Sequence, residues 1–147
     1  MGTIFNLETF LLASYIFSWQ FPHFYGILYA NKADYQKAGF QMISNQDPQG
    51  RTASKHILAC NIFSSVVPLA MLYTGMVNPI FLGPFYYYQW RAFGSIWEFQ
   101  RQQASVNSAK QLKKASYMPF LTLLTGFTLT TAYKRYQKRK ELAIEEV

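Results

Sequence analysis

Cysteine, histidine and aspartate are scarce in this sequence, and their scarcity limits the chemistry available to it. The lone Cys60 excludes a disulfide within the chain and a metal site built from cysteines. The two histidines, His23 and His56, could meet at one end of adjacent helices, but no carboxylate stands ready to orient them as metal ligands. We therefore expect no bound metal and no cofactor.

Formal charges are missing from three long segments, 9–31, 56–90 and 115–133. A helix needs roughly 20 apolar residues to cross the hydrocarbon of a bilayer, and a charge at its centre costs at least about 2.5–3.5 kcal/mol. The alternative is a soluble helical bundle, but amphipathic surface helices carry charges every few residues. We predict an all-α integral membrane bundle of about four transmembrane helices.

The whole chain, 1–147, is assigned to a single membrane domain. In chain order, the predicted spans are 7–30, 56–73, 79–99 and 115–133, the polar loops are 31–55 and 102–114, and the charged tail is 134–147. A turn around Gly75 makes the second and third spans an antiparallel hairpin. Glu98 and Arg101, three residues apart on one helix, are expected to pair.

The net charge of +7 reflects membrane topology. Aromatic residues lie in the apolar spans and not among the basic residues, so we expect no nucleic-acid partner. By the positive-inside rule the two basic loops face the cytoplasm or the mitochondrial matrix. Arg91, the formal charge well inside a span, either marks a functional site or snorkels or pairs with Glu98. The cations expected to hold anionic lipid such as cardiolipin, or to dock on an acidic neighbour, are Arg91, Lys134, Arg135, Lys138, Arg139 and Lys140.

Three runs of residues carry a family resemblance. They are Trp19-Gln20-Phe21-Pro22-His23-Phe24, then Asp34-Tyr35-Gln36-Lys37-Ala38-Gly39-Phe40-Gln41-Met42, and finally Ala109-Lys110 with Ala115-Ser116-Tyr117-Met118-Pro119-Phe120-Leu121. In order and spacing they resemble the protohaem IX farnesyltransferases (haem O synthases) of the UbiA prenyltransferase superfamily. The resemblance is to the C-terminal half of the enzyme and implies half of a UbiA-type bundle. The residues it marks as vestiges of the motif are Trp19, Gln20, Pro22, His23, Asp34, Tyr35 and Gly39.

The same resemblance implies that catalysis is lost. Family members hold farnesyl diphosphate between two acidic loops through magnesium, which needs oxygen ligands in near-octahedral geometry. Here the Asn-Asp-x-x-Asp loop has no counterpart, and Ala33 replaces the carboxylate that precedes Asp34 in the family. Met118 stands where the late span of the family has a histidine. We expect a pseudoenzyme with no catalytic residues.

Two motif residues have alternative interpretations. His23 is either a residue that contacted haem or diphosphate at the mouth of the site, or a structural histidine bonded within the bundle. Asp34 is either a residual metal ligand or a brace for the loop near Lys32 and Lys37. The aromatic cluster of Tyr86 to Tyr88 with Trp90 is typical of a membrane-interface belt or a protein contact, and alternatively of a prenyl or quinone pocket.

The functional expectation is a non-catalytic subunit of a respiratory complex in the mitochondrial inner membrane. Cytochrome c oxidase, or a supercomplex containing it, is the natural candidate because the family makes the precursor of its haem A. Its partners would be other subunits and membrane lipids. Half a bundle should expose polar groups that need a covering partner, namely Ser14, Gln20, Asn61, Ser64, Ser65 and Thr128. The alternatives are the C-terminal half of a split haem O synthase that needs a partner chain, and an oxidase assembly factor.

Overall fold

Helices make up all the regular structure of the residues that a computed structural model describes, 6–145. In chain order they are α1 (Leu7–Ala30), α2 (Lys32–Lys37), α3 (Ile43–Gln46), α4 (Arg51–Tyr73), a 3₁₀ turn (Pro79–Phe81), α5 (Leu82–Arg101) and α6 (Val106–Glu145). The outermost residues of the predicted domain and tail, 1–5 and 146–147, lie outside the described residues.

The four long helices pack in a closed ring. Helix α1 lies between α4 and α6, and α5 lies between the same two helices on the opposite side. This arrangement confirms the predicted all-α membrane bundle. Among the described residues, α4 is the helix that is long and apolar enough to cross a membrane by length and composition. Crossing by α1, α5 and α6, which are richer in tyrosine, tryptophan or glutamine, stays a prediction.

Two helices begin earlier than the predicted spans. Helix α4 starts at Arg51, and α6 starts at Val106, so most of the predicted loop 102–114 is helical. The side chain of Ser105 explains the second start, because its Oγ accepts from the backbone N–H of Ser108 at 3.2 Å. A serine that receives this bond is a helix N-cap. The lysines at 110, 113 and 114 therefore lie on a helix and not in a loop.

Helix α6 is fixed at Thr130 to the turn between α4 and α5. The backbone N–H of Asn78 donates to Thr130 Oγ1 at 3.0 Å. Beyond Thr130 the helix continues without a break to Glu145. It therefore projects past the turn at 74–78, where the predicted hairpin bends.

The interior holds two apolar layers at opposite ends of the bundle. In the layer beside the 74–78 turn, the rings of Tyr15 and Phe85 meet edge to face at 6.1 Å between centroids. In the layer beside the 31–50 loop, Tyr29 and Phe99 meet in the same way at 5.1 Å. Both contacts join α1 to α5 across the middle of the ring. Each pair lies in its own cluster of buried apolar side chains.

A polar group between the two layers, the Gln89 cluster, comprises Gln89 with Asn61, Ser64 and Ser65. The Nε2 of Gln89, which has two hydrogens to donate, lies 3.0 and 3.1 Å from the backbone and side-chain oxygens of Asn61, and 3.1 and 2.9 Å from the hydroxyls of Ser64 and Ser65. Asn61 and Ser64 are buried. The expectation that these two residues need cover from a partner is therefore wrong, because α5 already covers them.

Close contact between α1 and α6 depends on Gly26. A Cβ placed there would lie 2.8 Å from the backbone nitrogen of Lys113 and 3.0 Å from the carbonyl oxygen of Ala109. Small residues at such crossings let two backbones approach in membrane bundles. The seam that results contains the first family motif.

Candidate functional site

The seam between α1 and α6 is held by Trp19. Its indole Nε1–H donates to the backbone carbonyl oxygen of Ser116 at 2.7 Å. Its ring stacks on Phe120 with centroids 4.1 Å apart. Pro119, inside α6, removes the N–H that would otherwise bond to the neighbouring carbonyl of Ala115. Trp19 therefore has a structural role in joining the first and last helices.

His23 is bound into the same seam. Its Nδ1 lies 3.2 Å from Ser116 Oγ. The Ser116 hydroxyl gives its own hydrogen to the carbonyl oxygen of Lys113 at 2.7 Å. Nδ1 must then carry the hydrogen and donate it, which leaves Nε2 as an acceptor. The ring is buried, stacks on Trp19 at 4.9 Å and meets the edge of Tyr117 at 4.6 Å. This geometry matches the predicted structural histidine.

Pro22 and Gly39 serve the backbone. Pro22 is buried within α1. Gly39 has a φ of 79° in a left-handed turn that ends α2, and a Cβ there would meet nothing within 4 Å. The N–H of Phe40 bonds to the carbonyl of Tyr35, and the N–H of Gly39 to that of Gln36, at 3.0 and 3.1 Å. These two bonds define a Schellman helix end, where glycine is preferred because φ is positive.

Gln20 and Tyr35 meet in an open apolar groove, which we call the α1 groove. It has a volume of about 500 Å³ and lies between the outer side of α1 and the loop that carries α2 and α3. The other side chains that line it are Phe17, Phe21, Phe24, Tyr25, Ile27, Leu28, Met42 and Ile43. The structure thus divides the motif, with Gln20 and Tyr35 in this groove and Trp19 and His23 in the seam.

Asp34 is exposed on α2, within the same six residues as Lys32 and Lys37. It does not line the α1 groove. Across residues 6–145, no three histidine, cysteine, aspartate or glutamate side chains form a group that could hold a metal.

Asp47 is a residue whose role sequence reasoning missed. Its Oδ1 accepts from the N–H of Arg51 at 2.9 Å, and its Oδ2 accepts from Thr52 and Ala53 at 2.8 and 2.9 Å. The Tyr29 hydroxyl donates to the backbone oxygen of Asp47 at 2.7 Å. Burial alone would raise the pKa of Asp47, but the bonds from Ala53, Arg51, Thr52 and Tyr29 together lower it. The signal was an aspartate shortly before a helix start.

The predicted lipid-binding cations separate into two places. Arg91 lines a groove between α5 and α6 together with Lys114. The basic residues of the tail lie on the projecting end of α6, where all five are exposed. Lys134 lies nearest the bundle, with its Nζ 3.1 Å from the position that a Cβ of Gly75 would take. Glu98 pairs with Arg101 at 2.9 Å as predicted, and this ion pair replaces the alternative pairing with Arg91.

Fold and site together define an all-helical membrane bundle whose motif residues converge on one seam and one groove. Comparison with known proteins supports the resemblance seen in the sequence. The chain is 37% identical over 75 residues to a protohaem IX farnesyltransferase of Solibacter usitatus, which aligns over 51% of this chain and 26% of the relative. It is 37% identical over 62 residues to the human mitochondrial protohaem IX farnesyltransferase, over 41% of this chain and 14% of the relative.

A third relative, the protohaem IX farnesyltransferase of Bartonella bacilliformis, is 30% identical over 117 residues, which cover 75% of this chain and 36% of the relative. The chain thus spans only about a seventh to about a third of the length of these three curated relatives. No family model and no solved structure matches it. The chain is accordingly a partial homologue of the haem farnesyltransferases, as its motifs predicted.

Proposed function

We propose that this chain is a non-catalytic subunit of a respiratory complex in the mitochondrial inner membrane, derived from a haem farnesyltransferase. The complex is cytochrome c oxidase or a supercomplex that contains it. The observation that carries the proposal is the way the farnesyltransferase motif is used. Trp19 and His23 form the seam to α6, and Gly39 forms the end of a short helix. These are structural tasks.

The aspartates of the loop support the same conclusion. The carboxylate of Asp47 receives three backbone N–H groups at the start of α4, so its oxygens serve as a helix cap. Asp34 stands on an exposed helix of six residues with a lysine at each end. A magnesium ion that bridges a diphosphate needs several oxygen ligands in near-octahedral geometry. The use of Asp47 as a helix cap and the lysines beside Asp34 favour a supporting role for the chain over magnesium-dependent transfer chemistry.

The α1 groove supports a protein partner. Its walls are mostly aromatic and aliphatic, and the amide of Gln20 lies among them. In a bilayer, an amide in apolar surroundings is best satisfied by polar groups from a neighbouring helix, because lipid tails offer no hydrogen bonds. A transmembrane helix of another subunit fits this surface. The human and orangutan relatives are named as mitochondrial, which supports the proposed location.

The test is mass spectrometry of respiratory complexes separated on native gels from gently solubilised mitochondrial membranes. We expect the chain to migrate with cytochrome c oxidase in stoichiometric amounts and to remain after a high-salt wash. Recovery far below stoichiometry would instead indicate an assembly factor. Migration with a chain bearing an Asn-Asp-x-x-Asp loop, away from any respiratory complex, would contradict the proposal.

A second candidate is one part of a split haem O synthase. It is favoured by the 37% identity to a relative named protohaem IX farnesyltransferase and by the shared groove of Gln20 and Tyr35. The amount of haem O extracted from cells that carry Asp34→Asn distinguishes the split enzyme from the non-catalytic subunit. The split enzyme loses haem O production, whereas a subunit leaves it unchanged. Glu141→Gln, which removes one carboxylate from the exposed tail, is the matched control.

A further inference from the structure

A second groove, the α5–α6 groove, is distinct from the α1 groove. It has a volume of about 500 Å³ and runs between α5 and α6. Arg91 and Lys114 contribute two cations to its walls, and the amide of Gln111 contributes a neutral donor. A wall of this kind suits a ligand with a compact negative charge and several acceptor oxygens.

The positive charge of this groove is not cancelled by its own carboxylate. Glu98 also lines the groove, but its two oxygens accept from the Arg101 guanidinium at 2.9 and 3.0 Å, and one of them accepts from Gln102 as well. Arg101 therefore neutralises Glu98 at the end of α5. The charges of Arg91 and Lys114 remain available to a ligand.

The position of Arg91 favours a ligand that enters from the bilayer. It lies ten residues before the last residue of α5, Arg101, which corresponds to about 15 Å along the helix axis. Trp90 and Trp97 on the same helix are 77% and 71% exposed. The groove continues to Met118 and Tyr88, whose apolar surfaces suit an acyl chain.

We propose that the α5–α6 groove binds one anionic phospholipid, with its phosphate between Arg91 and Lys114 and an acyl chain against Met118 and Tyr88. Charge complementarity selects the headgroup, and the apolar end of the groove selects a lipid over a free phosphate. The site does not rest on the proposed subunit role: it shares no residue with the α1 groove, and only Ala115 and Met118 of its wall come from the third motif run.

The test uses the full chain, delipidated in a neutral detergent and titrated with phosphatidylglycerol or phosphatidylcholine while native mass spectrometry counts bound lipid. We expect the chain to retain phosphatidylglycerol in preference to phosphatidylcholine. Removing both groove cations in Arg91→Gln/Lys114→Gln should weaken phosphatidylglycerol binding about thirtyfold. The matched control, Lys32→Gln/Lys37→Gln, removes two cations from α2 and should change binding less than about twofold.

Four results would overturn the proposal. Unchanged binding in the groove variant would exclude the site, and equal loss in the control would indicate diffuse charge attraction. Displacement of the lipid by inorganic phosphate at similar concentrations would show a free-phosphate site. A measurement without mutation guards against misfolding of the variant. A phosphatidylglycerol with a photoreactive group near its phosphate should label residues 88–98 and 111–118 of the wild-type chain, and labelling confined to other segments would refute the site.

Discussion

The indole Nε1–H of Trp19 donates to the backbone carbonyl oxygen of Ser116 at 2.7 Å and so joins α1 to α6. The two residues are separated by 97 positions in the chain. The acceptor adjoins Ala115, whose carbonyl loses its helical partner at Pro119. One bond therefore closes the ring of helices one residue from the carbonyl that Pro119 leaves without its helical donor.

Loss of this bond should destabilise the bundle measurably. Trp19→Phe keeps an aromatic ring against Phe120 but removes the donor, and we expect the free energy of unfolding to fall by about 1 kcal/mol. Thermal unfolding of the purified chain in detergent measures the change. Trp97→Phe, at a side chain that is 71% exposed, is the control and should leave the unfolding temperature unchanged. Equal losses in both variants would show that the seam bond does not matter.

Replacing Asp47 should weaken the start of α4 and alter the response to acid. Asp47→Ala removes the acceptor of three backbone N–H groups, so we expect a loss of about 1–2 kcal/mol at neutral pH. Because the pKa of Asp47 lies below its ordinary value of 3.8, its stabilisation is complete above that pH and disappears as the pH falls through the lowered pKa.

Unfolding by denaturant at a series of pH values below about 5 tests this sign. The wild-type chain should lose stability more steeply than Asp47→Ala as the pH falls. Asp34→Ala, on exposed α2, is the control and should keep the wild-type slope. A wild-type slope in Asp47→Ala would contradict the proposed cap.

A methyl group at position 26 should push α1 and α6 apart. In Gly26→Ala the new Cβ would lie 2.8 Å from a backbone atom of Lys113, which has little freedom to move. Overpacking of this kind costs about 1–3 kcal/mol. Gly83→Ala is the control, because a Cβ there meets nothing within 4 Å. If thermal unfolding shows the two variants to be equally stable, the seam is looser than described.

The Gln89 cluster should show energetic coupling. Gln89→Leu leaves Asn61 Oδ1 without its donor, and Asn61→Leu removes one acceptor from Gln89 Nε2, whereas the double variant removes both sides of this contact. We expect the double variant to lose about 0.5–1.5 kcal/mol less than the sum of the two single losses. Gln89→Leu combined with Thr128→Val is the control pair and should be additive, because Thr128 bonds within its own helix. Additivity in the first pair would refute the cluster.

The fold could be predicted from where the charges are missing, since uncharged stretches of helical length mark the four long helices. The Glu98–Arg101 pair and the turn near Gly75 were predictable because each depends on neighbours in the chain. The extent of α6 was not predicted, because closely spaced lysines indicate a loop by composition and the capping role of Ser105 is local and easily overlooked.

The sequence did not predict which faces of the helices pack against each other. In a membrane bundle the outward face is as apolar as the inward one, so hydrophobic periodicity does not reveal which side of α4 meets α5. Asn61 and Ser64 were therefore expected to need an outside partner, although both are buried and Gln89 donates to their oxygens from within the chain. The motif identified the family but not the division of its residues between the seam and the α1 groove, which depends on how α1 is rotated against α6.

The bond between Asn78 and Thr130 fixes one point of α6 at the turn. The distance of each later residue from the turn then follows from the helix rise. Lys138 to Lys140 follow Thr130 by eight to ten residues, so they stand about 12–15 Å beyond the turn if the helix is upright. The headgroup layer on one side of a bilayer is only about 5–8 Å thick. With the turn at the edge of the hydrocarbon, Lys134 and Arg135 fall among the lipid phosphates, while the last three cations overshoot them. An acidic surface that binds these three cations therefore belongs to a partner that extends beyond the lipid headgroups.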